Sequence, residues 1–223
     1  MRLPDWMPMA CPKCPAGRKR SVTKRKRPLK KGGMMGKFFD NLNLVLGVGL
    51  VIALALMMGF HAETISAEAV LRWLHVFFGI TWIGLLYYFN FVQIPTMPAV
   101  PAELKPGVSK YIAPKALFYF RWGAAFTVLT GLILAYVNNY LVEALTLQPQ
   151  VRLIGIGMWL ALIMAFNVWA IIWPNQQKVL GLVEADDTAK AKAGRVALIA
   201  SRTNTLLSIP MLYAMTTYQT LGS

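Results

Sequence analysis

The stretch that decides the fold is L71-R-W-L-H-V-F-F-G-I-T-W-I-G-L-L-Y-Y-F-N-F91. It is almost wholly apolar and aromatic, without the period-two alternation of a strand, and it approaches the ~20 residues that cross a bilayer as helix. Four comparable runs flank it, giving spans at about 43–60, 69–94, 117–140, 153–173 and 196–217. Apolar residues make up 57% of the 223-residue chain and charged residues 14%, a balance that argues against a soluble domain. The expected fold is all-α: a polytopic membrane bundle of about five transmembrane helices over 42–220. The fifth span is the most polar, with "SRTNTLLS" inside it. Ser and Thr hydroxyls can bond to carbonyls of their own helix and so be carried through lipid.

The net charge of +14 belongs mainly to an N-terminal arm, residues 1–41, which holds 12 of the 23 Lys and Arg against only Asp5 and Asp40. This arm is expected to lie in the cytoplasm against anionic lipid headgroups. Nucleic acid is disfavoured, since no aromatic interleaving accompanies the basic block. Met34 opens an ordinary membrane-protein start, so residues 1–33 are a candidate mis-assigned start. Cys11 and Cys14 have half the spacing of a zinc or redox site and lack the other half.

Lys and Arg in the connectors set the orientation. Lys105, Lys110 and Lys115 mark residues 95–116 as cytoplasmic, and Lys178, Lys190, Lys192 and Arg195 do so for 175–195. Residues 61–68 and 141–150 carry neither. The N-terminus is therefore expected inside and the C-terminus outside, as in a multi-pass protein of the bacterial inner membrane.

In that orientation the two histidines, His61 and His75, flank an outward turn, with His75 ~9 Å into its helix at 1.5 Å per residue. Met57, Met58, Met158, Met211 and Met215 fall near the same depth. Steps of three and four from His75 join Arg72, Gly79, Trp82, Leu86, Asn90 and Gln93 on one polar face. Two readings stand side by side. In one, His75 ligates a porphyrin iron, Gly79 admits the macrocycle, and Arg72 and Arg152 pair with its propionates. In the other, His75 bonds to a neighbouring helix and Gly79 only permits close packing. A second polar cluster comprises Arg202, Asn204, Thr205 and Ser208, with Arg121 near the inner start of the third span. Snorkelling is the expected behaviour of Arg121; Arg202 and Asn204 are the candidates to hold a substrate. Asn167 is expected to face the bundle, and Pro174 to stop the fourth span.

Three stretches in order, "LRWLHVFFGITWIGLLYYFNF", "AFNVWAIIWPNQQKVLG" and "SRTNTLLSIPMLYAM", resemble the N-terminal membrane domain of bacterial cytochrome c-linked urate oxidases. The element formed by His75, Trp82 and Gly84 is also similar to helices of membrane protoporphyrinogen oxidases and D-type copper-resistance proteins. What the resemblance implies is a membrane protein with His75 as an axial ligand of b-type haem, hence its metal ligand. His61, Met158 and Met211 are the candidates for the second ligand by depth. Urate oxidases of this type carry a C-terminal cytochrome c domain, and this sequence holds no CxxCH, so electrons are expected to pass to a separate partner. A non-catalytic accessory subunit of a larger membrane complex, and an oxidase of urate or a similar small anionic heterocycle, are the alternatives.

Overall fold

A computed structural model describes residues 38–61 and 66–221, without the side chains of His61 and 219–221. The Met34 start, Cys11, Cys14 and all but the last residues of the basic arm lie outside the described residues. The described residues are mostly helical, with no strand among them. The chain divides into two compact units within the first helix, between Leu56 and Met57.

That helix, α1 (Leu42–His61), begins where Asn41 Oδ1 accepts from the backbone N–H of Asn43 (3.1 Å) and Leu44 (3.2 Å). The second, α2, runs continuously over Ala67–Ala99, capped by Ser66, whose Oγ accepts from Ala69 N–H at 3.2 Å. α3 runs over Lys105–Val137, and a short α4 over Leu141–Leu145. α5 covers Pro149–Val179 and α6 Asp187–Leu221. Asn139, at φ 56°, reverses the chain between α3 and α4, a conformation that asparagine tolerates better than most residues.

Four helices, α1, α2, α3 and α5, are long and apolar enough to cross a membrane. α6 spans the expected fifth segment as unbroken helix, but its polar side chains keep it out of that set.

The helices overrun their expected ends because proline does not stop them. A proline lacks an N–H and its ring crowds the carbonyl four residues back, which ordinarily kinks or ends a helix. Here each of three prolines follows a widened π turn two residues behind it. Pro95 follows Tyr88–Gln93, Pro114 follows Val108–Ile112, and Pro174 follows Asn167–Ile172. In each case the residue before the proline donates to a carbonyl five residues back: Ile94 to Phe89, Ala113 to Val108, Trp173 to Val168. The extra residue in the turn moves the ring away from the carbonyl it would strike. Contrary to the expectation for Pro174, α5 therefore continues through Val179.

α2 packs antiparallel on α3, and α5 antiparallel on α6. Their shared core is built around Trp82, Leu86, Phe120, Met164 and Val168, all less than 2% exposed. A second apolar cluster, Ala135, Ala144, Ile154 and Met158, ties the α3–α4 corner to α5. Gly155 sits against the Ala144 carbonyl there, so the corner tolerates no side chain at that position.

Candidate functional site

His75 is set into the α2–α3 seam. Its Nδ1 lies 2.8 Å from the Thr127 carbonyl oxygen, which only accepts, so in the neutral ring Nδ1 carries the proton and Nε2 keeps its lone pair. No hydrogen bond to Nε2 is made by the described residues. Room for the imidazole comes from Gly131: a Cβ there would stand 2.7 Å from His75 Cε1 and 2.9 Å from Nδ1. Gly123 lies close under Trp82, where a Cβ would stand 3.3 Å from the backbone nitrogen. Gly123, Thr127 and Gly131, four residues apart, thus form a small-residue stripe that brings α3 up to α2. Gly79 belongs to the same contact, with Thr127 Cγ2 at 3.8 Å from its would-be Cβ. Half-buried Gly79 thus turns toward α3.

The other expected ligand-site residues are dispersed. Arg72 is paired with Glu68, one turn earlier on α2. Near that pair, at the same end of the bundle, the rings of Tyr140 and Tyr218 stand 6.1 Å apart, and burial raises the Tyr140 phenol above its ordinary range, with Tyr218 adding to the effect. Met158 is buried in the α3–α4–α5 corner and Met211 in the main core. The side chain of His61 lies outside the described residues. Arg152 Nε reaches the Leu147 carbonyl at 3.5 Å.

Arg202 and Asn204 are not brought together: Arg202 is exposed on α6, whereas Asn204 is fully buried. Asn204 Nδ2 donates to the Met164 carbonyl (2.9 Å), and its Oδ1 accepts from Asn167 Nδ2 (2.9 Å). Asn167 thus faces the bundle, as expected of it.

The same stripe of α6 supplies two residues that sequence reading passed over or only grouped. Ser201 Oγ accepts from Asn90 Nδ2 at 2.8 Å, and that amide also donates to Leu86 O at 2.9 Å. Ser208 Oγ gives its one proton to Thr205 O (2.7 Å), so at 2.9 Å from Tyr87 OH it accepts. Ser201, Asn204 and Ser208 recur at +3 and +4, the signal of one helix face. Asn90 and Asn167 both stand in π turns, so the turns that accommodate proline also carry amides toward α6.

Among the described residues no group of three or more His, Cys, Asp or Glu side chains could hold a metal ion. A bare ion needs several protein ligands. A single histidine with a fixed tautomer instead suits an iron whose other positions are already filled by a macrocycle, and a backbone carbonyl on the far nitrogen is the ordinary support of such a ligand. The donor chemistry of His75 fits haem, with Gly79 turned toward Thr127 of α3.

Residues 143–219 match the urate oxidase N-terminal family. No curated protein and no solved structure matches the chain. The urate oxidase N-terminal match takes in α5, nearly all of α6 and the end of α4, hence Asn167, Ser201, Asn204 and Ser208. His75 and the rest of α2 lie outside it.

Proposed function

We propose that the chain is an inner-membrane protein of the urate oxidase N-terminal type, in which His75 holds b-type haem near the outer face and electrons pass to a separate partner. Five helices cross the membrane in this reading, α6 included, with the N-terminus inside. The observation that carries it is the 2.8 Å bond from His75 Nδ1 to the Thr127 carbonyl, which leaves Nε2 as the basic, unengaged nitrogen. Haem bound there supplies one-electron redox chemistry. The protein's part is to lock the imidazole: Thr127 fixes the tautomer, and Gly131 lets the ring lie against α3 without strain.

The accessory-subunit reading is favoured by a different observation, the filled α2–α3 seam, where Gly79 meets Thr127 and Gly123 meets Trp82. An oxidase that grips its substrate through Asn204 has less support. Both ends of that amide are engaged, and freeing them would leave Asn167 and the Met164 carbonyl without partners.

The test is the visible spectrum of the full chain, expressed with ample haem supply and purified in detergent. A Soret band that disappears in His75→Ala, with helicity unchanged by circular dichroism, is expected. A purified protein without the band, recovered in fixed ratio with a larger membrane complex, overturns the haem reading in favour of the accessory one.

A further inference from the structure

Arg121 is a charged side chain in an apolar span with no ion-pair partner among the described residues. The sequence of α3 is without Asp or Glu, as is that of α5, and α6 has none after Asp187. Its guanidinium carbon lies 3.2 Å from the centre of the Trp173 ring and 5.8 Å from that of Trp169, both on α5. Two of its nitrogens, Nε and Nη1, are buried without an acceptor. Nη2 is neither buried in this way nor hydrogen-bonded, so the group presents that end outward. A guanidinium held by a ring face is attracted to it but keeps every N–H unspent, since the ring offers no lone pair. With its charge unpaired and the outward Nη2 unspent, the group can take an acceptor at that edge, and an anion answers both the charge and the hydrogen bond.

The surroundings indicate which anion. Beside Arg121, the lipid-facing surface is a ladder of exposed aromatic rings: Phe118 and Trp122 (6.4 Å), Trp122 and Phe126 (5.7 Å), and Trp169 edge-on to Trp122 (5.7 Å). Rings of this kind gather where acyl chains meet headgroups. Exposed Lys115 on α3 and Lys178 on the last turn of α5 lie toward the same end of the bundle. We propose that Arg121, held under Trp173, anchors a phosphate-binding site between α3 and α5, with the phosphodiester of an anionic lipid as its occupant. The phosphate accepts from the outward edge of the guanidinium while the acyl chains lie on the Phe118–Trp122–Trp169 surface. The site lies apart from His75, which meets α3 at Thr127 and Gly131, toward the other end of that helix from Arg121.

The experiment is native mass spectrometry of the full chain in mild detergent, offered phosphatidylglycerol or phosphatidylcholine at equal concentration, with and without inorganic phosphate. Wild-type protein is expected to retain phosphatidylglycerol preferentially, and R121Q to lose that retention by roughly tenfold, the loss of a charge-assisted contact. R121K, which keeps the charge and loses the planar fork, should fall between the two and provides the comparison if R121Q is not recovered folded. Displacement of the lipid by millimolar phosphate in wild type alone would support the phosphate chemistry and identify the free ion as a competing source. Equal lipid retention by wild type, R121K and R121Q overturns the proposal. So does loss in R121Q of a copurifying protein without any change in lipid, which would assign the guanidinium to a partner's carboxylate.

Discussion

At the residue scale, side chains of similar composition behave oppositely according to which face of a helix they occupy. Asn204 is fully buried and bridges Asn167 to the Met164 carbonyl, whereas Arg202, two positions earlier, is exposed. Asn204→Ala strands an amide and a carbonyl inside the bundle. It is expected to lower stability by about 1–2 kcal/mol, between the modest mean for hydrogen bonds in membrane helices and the cost of an unsatisfied buried group. Arg202→Gln should change stability by less than ~0.5 kcal/mol. Denaturant titration of the two variants in one detergent checks the contrast; equal effects would mean that the amide bridge is not what ties α5 to α6. Sequence reading singled out Asn204 together with Arg202, as candidates to hold a substrate. It could not separate Asn204 from Arg202, since a list of polar residues does not say which of two faces α5 covers.

At the scale of the elements, the sequence shows where helices form better than how closely they approach. Apolar runs announced all the long helices, and positions 75, 79 and 82 announced the polar face of α2. What those positions meet is set by Gly123, Thr127 and Gly131 on α3, and a stripe of small residues has no hydropathy of its own. The π turns escaped sequence reading, which takes Pro174 as a stop: Pro95, Pro114 and Pro174 each stand two residues past one, and whether a proline ends a helix or bends its pattern depends on neighbours that hold the helix on both sides. The glycines of α2 and α3 give a direct test of close approach. Gly131→Ala places a methyl 2.7 Å from His75 Cε1 and is expected to destabilise by about 1–3 kcal/mol, the usual cost of overpacking. Gly84→Ala meets nothing within 4 Å and should be neutral or slightly stabilising through helix propensity. If haem is bound at His75, G131A should also shift the Soret band and G84A should leave it in place. A pair of variants equally stable and spectrally identical would show that the α2–α3 seam is looser than this contact requires.

At the scale of the whole molecule, the unsettled quantity is whether α6 crosses the membrane. By length and apolar content α1, α2, α3 and α5 qualify, and α6 does not. Composition counts every polar side chain equally, yet in α6 the buried ones are Ser201, Asn204 and Ser208, all hydrogen-bonded to α2, to α5 or within α6. Ile199, Leu206, Ile209 and Tyr213 are exposed on the opposite side, with Arg202 and Thr203 between the first two. A helix that hides its amide and its serines and shows lipid a mostly apolar face, with Arg202 long enough to snorkel and the Thr203 hydroxyl spent on the Ile199 carbonyl, meets the requirement for spanning even when its average does not. α6 also lies antiparallel to α5 along most of its length, from Gly194 against Val179 to Ala214 against Gly157, so it must share whatever depth α5 has. If Lys178, Lys190, Lys192 and Arg195 keep the α5–α6 turn inside, as proposed from the positive-inside rule, the C-terminus should emerge outside. An alkaline phosphatase fusion after Ser223 should therefore be active and a green fluorescent protein fusion dark, with the reverse pattern for fusions after Val183. A fluorescent C-terminal fusion would require α6 to lie at the inner surface. The Asn167–Asn204 and Asn90–Ser201 bonds would then have to open, and Asn204→Ala would lose its effect on stability in the same preparation.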